Sequence, residues 1–169
     1  GQGHEQLTMA ATGRDVSLRF DDNLHDISLQ GPLAVTFLEK HVEDIRNLNY
    51  FNHMQTMLFD CPVMISRTGY SGERGYELFC RGQDASKIWD MLVEYGAPMG
   101  IIPTRFTTLD LLRAESYLLF FPYDNSDMYP FENEKHGDTL WELGLDFTVS
   151  EGKIGFRGCE EHMRLQGKE

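Results

Sequence analysis

Apolar and polar positions alternate along several short stretches of this 169-residue chain and follow a helical period in others. HEQLTMAATG has the look of a helix end closed by Gly13. RDVSLRF then alternates, with Val16, Leu18 and Phe20 on one face, and predicts a half-buried strand. After the polar turn DDNLHD, HDISLQ predicts a second strand, ended by Gly31-Pro32. Pro32 suits the first turn of a helix, so PLAVTFLEKHVEDI is predicted helical, with Leu33, Phe37, Leu38 and Val42 along one stripe. NYFNHMQTMLFD, CPVMISRT and GYELFCRG predict three more strands. DASKIWDMLVEYG predicts a helix with Asp84 as N-cap, Gly96 just past its end, and Ile88, Met91, Leu92 and Tyr95 on its apolar face. GIIPT is a short apolar strand candidate, and TTLDLLRAESYLLF a further amphipathic helix.

From Asp26 the order is β-α-β-β-β-α-β-α, which predicts an α+β fold: a ferredoxin-like antiparallel sheet with helices on one face. Its strands are expected over 26–30, 50–59, 62–68 and 76–81. YDNSDMYPFENEKHGD is a polar, acidic loop without the acid spacing or sixth-position glycine of an EF-hand. TLWELGLDFTVSEGKIGFRGCEEHMRLQ predicts two strand-like pieces and a terminal helix. This gives a lead-in helix end and strand over 1–25, an α+β core over 26–122, the acidic loop over 123–139, and C-terminal strands and helix of the same domain over 140–169.

Composition narrows the function. The net charge of −12, with no basic stripe, argues against a nucleic-acid partner. Apolar runs such as YLLFFPY are too short to span a bilayer, and the first twenty residues lack the pattern of a signal peptide. Cys61, Cys80 and Cys159 are widely spaced, which points to free thiols in a reducing, cytoplasmic setting. Cys159 and His162 are only two ligands, so no metal site is expected.

The chemistry gathers at RTGYSGERGYELF, residues 67–79. Its glycines, 69, 72 and 75, lack the spacing and the following helix of a phosphate-binding loop. A tight hairpin, with glycines supplying positive φ, is one reading. Tyr70 and Tyr76 place flat rings at the two ends of the loop, and Glu77 stands among Tyr76, Leu78 and Phe79, where the strand is expected to enter the core. A carboxylate there requires a partner. An arginine such as Arg67 or Arg113 would serve, and so would a flat ligand offering two parallel N–H donors.

RTGYSGERGYE resembles R-T-G-Y-T-G-E-x-G-Y-E of the glycine-cleavage T-protein (aminomethyltransferase) family. ISLQGPLAVTFLEK, LDLLRAES and LWELGLDFTVSEGKIGFRG resemble three further family blocks, all in the family's order. The resemblance runs from about Val16 across nearly the whole chain. It implies a folate-binding core and transfer of a one-carbon unit between an N-, O- or S-linked donor and tetrahydrofolate. The partners implied are folate and a small-molecule methyl or methylene donor, or a carrier protein. It also implies that Glu77 binds the pterin edge, that Tyr70 and Tyr76 border the pocket, and that Arg113 lies near substrate or folate, the alternative for Arg113 being a salt bridge to Glu115 or Glu77. The family's segment with a catalytic aspartate and its C-terminal barrel have no counterpart in the sequence, so the chain is expected to be a central fragment without transfer activity of its own, its catalytic residues unknown. Leu109 stands where the family commonly has arginine, Arg105 lies one helical turn earlier, and T-T-L-D-L-L-R is closer to the demethylating relatives. Two other readings are a non-enzymatic folate-binding or iron–sulphur-assembly relative, whose signature is broken at Gly155 and Cys159, and an acidic interaction domain.

Overall fold

The computed structural model describes residues 2–121, 123–124 and 137–167. Most of the acidic loop expected over 123–139 lies outside the described residues. The chain divides into two compact units, 1–118 and 119–169.

The first unit holds α1 (Gln2–Ala11), β1 (Leu24–Gln30), α2 (Ala34–Leu38), β2 (His53–Leu58), β3 (Cys61–Ser66), β4 (Gly75–Arg81), α3 (Gly82–Gly96) and α4 (Phe106–Glu115). The four strands form one sheet in the order β1-β4-β3-β2, with every neighbouring pair antiparallel. This is the α+β architecture that the hydrophobic pattern predicts. Its core lies on one face of the sheet. Ile27 and Leu29 from β1, Leu58 from β2, Val63 and Ile65 from β3, and Tyr76, Leu78 and Cys80 from β4 meet Phe37 and Leu38 of α2 and Ile88 and Leu92 of α3. Period-two alternation sends the intervening residues to the opposite, open face. There, Glu77 lies between Ser66 of β3 and Ser28 of β1, while Phe79 lies between Met64 and Asp26.

Between β2 and β3 the turn residues Phe59 and Asp60 both have positive φ (53° and 60°), as a two-residue hairpin of type I′ needs. A phenylalanine is strained there. Its ring packs against His41 (5.0 Å) and Tyr95 (5.7 Å), contacts that offset the strain.

Several predicted elements fold differently. RDVSLRF is not a strand: Val16, Leu18 and Phe20 are exposed, and among the described residues β1 is paired with β4 alone. The GIIPT run is irregular, and Pro103 has no N–H to give a ladder. The helix predicted from Pro32 to Ile45 is regular only over Ala34–Leu38. It continues as turns that still bury Val42 and Ile45, and left-handed Asp44 (φ 59°) redirects the chain. α3 starts at Gly82, so Asp84 sits in its first turn and is not the cap. Asn23 takes that part from a distance, its Oδ1 accepting the Gly82 N–H at 3.2 Å. Gly96 is the last helical residue and not the one beyond it.

In the second unit the two strand-like pieces are turns and one 3-10 turn at Asp146–Thr148, while the terminal helix forms as α5 (Cys159–Leu165). Trp141 stacks on His162 at 4.6 Å, and its Nε1–H donates to the His162 carbonyl at 2.9 Å. Among the described residues no helix is long and apolar enough to cross a membrane.

Candidate functional site

The β3–β4 ladder ends at the pair Ser66–Glu77, and the glycine loop closes beyond it. Each of its glycines has a steric reason. A Cβ on Gly69 or Gly75 would lie 2.2 Å or 1.9 Å from Oε1 of Gln30, whose carboxamide is wedged between them. Gly72 is left-handed (φ +73°), and a Cβ there would lie 1.9 Å from the Ser116 hydroxyl at the end of α4. Room is made for two side chains distant in sequence, and both belong to stretches singled out above, ISLQGP and LDLLRAES.

Glu77 is half-buried and lies on the open face of the sheet, not in the core. The expectation that it enters the core is corrected by the pleat: Tyr76 and Leu78 point in, so Glu77 points out. Its Oε2 accepts a hydrogen bond from the Thr68 hydroxyl, which lies 2.9 Å from Ser66 Oγ. Its Oε1 takes no hydrogen bond among the described residues. Neither arginine considered as its partner is bonded to it. Arg67 donates from Nη1 to the Leu48 carbonyl (3.0 Å), and Arg113 from Nε to Oδ1 of Asp110 (2.8 Å).

Arg113 is buried on α4, its side chain 9 % exposed, and its ion pair runs to Asp110 one turn back, not to Glu115 or Glu77. Its Nη1 also donates to the Leu118 carbonyl at 3.2 Å. The Tyr70 hydroxyl reaches the same carbonyl at 3.5 Å. Tyr70 and Arg113 therefore come together at the turn that follows α4. Ser116 ties that turn to the loop, its hydroxyl donating to the Ser71 carbonyl at 3.1 Å. Tyr76 does not join them. Its ring is 0 % exposed on the helix-covered face, and its hydroxyl donates to the Ile45 carbonyl (3.4 Å) and accepts from Arg74 Nη2 (3.1 Å). The strand position of Tyr76 turns its ring to the core face, on the opposite side of the sheet from Glu77.

A second carboxylate shares the open face. Asp26 stands diagonally from Glu77 across the β1–β4 register. Loss of hydration on the sheet face, and secondarily the charge of Glu77, push its carboxyl from an ordinary 3.8 up to about 6. The sequence reading missed Asp26, Gln30, Thr68, Ser116 and Asp110. The signal was present for all but Asp26, since Gln30, Thr68, Asp110 and Ser116 lie inside the quoted blocks. Arg105 is exposed at the N-cap of α4, at the opposite end of the helix from Arg113.

The geometry defines an antiparallel α+β domain with a half-buried carboxylate acceptor beside a glycine loop that is pinned to two distant segments. The chain belongs to the GCVT N-terminal domain family, whose model matches residues 3–153. It is 67 % identical over all 169 residues to a "Heme-dependent oxidative N-demethylase gamma subunit" of Ectopseudomonas mendocina (strain ymp), covering 45 % of that protein. It is 34 % identical over 153 residues, 89 % of this chain, to aminomethyltransferases of Bacillus cereus (strain ZK / E33L) and Bacillus mycoides (strain KBAB4), covering 39 % of each. The chain thus spans less than half the length of these relatives.

Proposed function

We propose that the protein carrying this chain moves a one-carbon unit between an amine donor and tetrahydrofolate, and that this chain supplies the acceptor for the pterin edge. The observation that carries the reading is Glu77 itself. A pterin presents an N3–H and a 2-amino group side by side, and a carboxylate accepts such a pair. Glu77 is half-buried, with Oε1 available and Oε2 steadied by Thr68, so the residues present fit that edge. Tetrahydrofolate, when bound, supplies the nitrogen that carries the one-carbon unit. This chain's residues bind and orient: Glu77 accepts the edge, and Tyr70 and Arg113 fix the turn after α4 to the loop. Transfer of this kind depends on holding donor and acceptor in one geometry.

The donor is N-linked in this reading. Identity to the demethylase gamma subunit is 67 %, against 34 % to the aminomethyltransferases. The TTLDLLR stretch agrees, with Leu109 in the position the T-proteins commonly give to arginine. An N-methyl amine that loses two electrons to an external oxidant at a partner subunit would become an iminium, and its methylene carbon would pass to a folate nitrogen here as the donor C–N bond breaks and the demethylated amine leaves. The test is calorimetric titration of the protein carrying this chain with tetrahydrofolate, paired with transfer of ¹³C from a labelled N-methyl amine to folate in the presence of the amine-oxidising partner. Saturable binding and label in the folate product support the reading. Absence of binding at millimolar ligand overturns it.

A further inference from the structure

We infer that Gln30 is a positioning residue for the Glu77 carboxylate, an inference that rests on reading Glu77 as the ligand acceptor. Gln30 is the last residue of β1 and stands opposite Gly75 in register. Its side chain lies on the open face, across the places where residues 69 and 75 would carry a Cβ. Nε2 donates to two carbonyls, Thr68 and Tyr76, each at 3.2 Å. Oε1 accepts from the hydroxyl of Ser71, a residue only 4 % exposed, at 3.3 Å. The carboxamide therefore has both donors and its acceptor engaged.

The two carbonyls are those that frame Glu77. Tyr76 precedes it in β4, and Thr68 provides the hydroxyl that holds Oε2. The β3–β4 ladder stops at Ser66–Glu77, and residues 68 and 75 are where its next pair on this face would fall. Gln30 takes the place of that missing cross-strand link. It joins the strand leaving β3 to the strand entering β4, and so sets how far Thr68 stands from the carboxylate. Glycines at 69 and 75 are what let a side chain lie there. Only an amide suits the position, because two of its three partners are carbonyls. A carboxylate would turn lone pairs toward both of them.

The test is made in the whole protein that carries this chain, with tetrahydrofolate as the probe and affinity read on the folded fraction. Gln30→Glu should weaken binding by about tenfold, the scale of one charge-assisted hydrogen bond lost at Glu77. Gln30→Met, which keeps the volume without the donors, should weaken it by a similar factor and serves if the Glu variant does not fold. In a Thr68→Val background the link to Glu77 is already cut, so a change at Gln30 should alter affinity by less than about threefold. Equal losses in both backgrounds, or a lowered melting point with unchanged affinity, would overturn the role of Gln30. If Glu77→Gln leaves affinity unchanged, the reading of Glu77 fails first and the positioning role falls with it. If Glu77→Gln weakens binding and neither Gln30 variant does, the positioning role alone fails.

Discussion

A Cβ on Gly72 would lie 1.9 Å from the Ser116 hydroxyl, and that hydroxyl is bonded to the carbonyl of Ser71, one residue before the glycine. The end of α4 and the crown of the glycine loop thus occupy one volume. Gly72→Ala should cost about 1 kcal/mol for the left-handed backbone and a further 1–2 kcal/mol for overpacking or for the lost Ser116 bond. Urea unfolding of the 169-residue chain measures the sum. Combining the change with Ser116→Gly should return only the steric part. Full recovery would mean that the backbone conformation imposes no penalty.

Tyr76→Phe should destabilise by about 1–2 kcal/mol, since it removes the hydroxyl that serves both the buried Ile45 carbonyl and Arg74. Folate affinity of the folded protein should stay within about threefold, because the ring is sealed on the core face. A larger loss of affinity with an unchanged melting point would return Tyr76 to the binding site.

Asp26 gives the fold a pH dependence of defined sign. Its carboxyl is held up to about 6 against 3.8, so the folded chain binds more protons than the unfolded chain between those values. Stability from this group therefore falls as pH rises through that window, and stays lower above it. The residue is solvent-exposed, so screening reduces the effect to on the order of 1 kcal/mol. Asp26→Asn should stabilise the chain by that amount at about pH 7.5 and by much less at about pH 4. Paired urea melts at the two pH values check it, and an equal gain at both would assign the effect to something other than titration.

The strands were legible because their alternation reports burial on one face, as at Ile27 and Leu29 or Val63 and Ile65. The same signal misled at RDVSLRF. Alternation says that a segment suits a sheet, not that it docks on one: among the described residues the outer edge of β1 is unpaired, and RDVSLRF does not add to it. In GYELFCR, Phe79 on the open face breaks the apolar pattern that would have put Glu77 outside the core, so the register had to show it. The glycines invited a local explanation as turn residues. The partners that require them, Gln30 and Ser116, lie about forty residues away on either side, and no local reading reaches that far.

The last expectation concerns Glu77 and Arg113. In the whole protein that carries this chain, Glu77→Gln should weaken tetrahydrofolate binding more than Arg113→Lys does. Glutamine keeps the size and one acceptor, but it turns an N–H toward the pterin's own donors. One bond is lost and one donor clash is gained, on the order of 1.5–3 kcal/mol, or about one to two decades in Kd. Arg113 works differently. Its guanidinium is engaged by Asp110 and the Leu118 carbonyl, and its side chain is 9 % exposed. A lysine there cannot reproduce the fork, so Arg113→Lys should lower stability by about 1–3 kcal/mol and move affinity by less than about threefold. Titration of tetrahydrofolate beside melts of the unliganded variants separates the two. A Glu77→Gln protein that melts earlier yet binds with unchanged affinity would show that Glu77 serves the fold through Thr68 and Ser66, and that the pterin edge is held elsewhere.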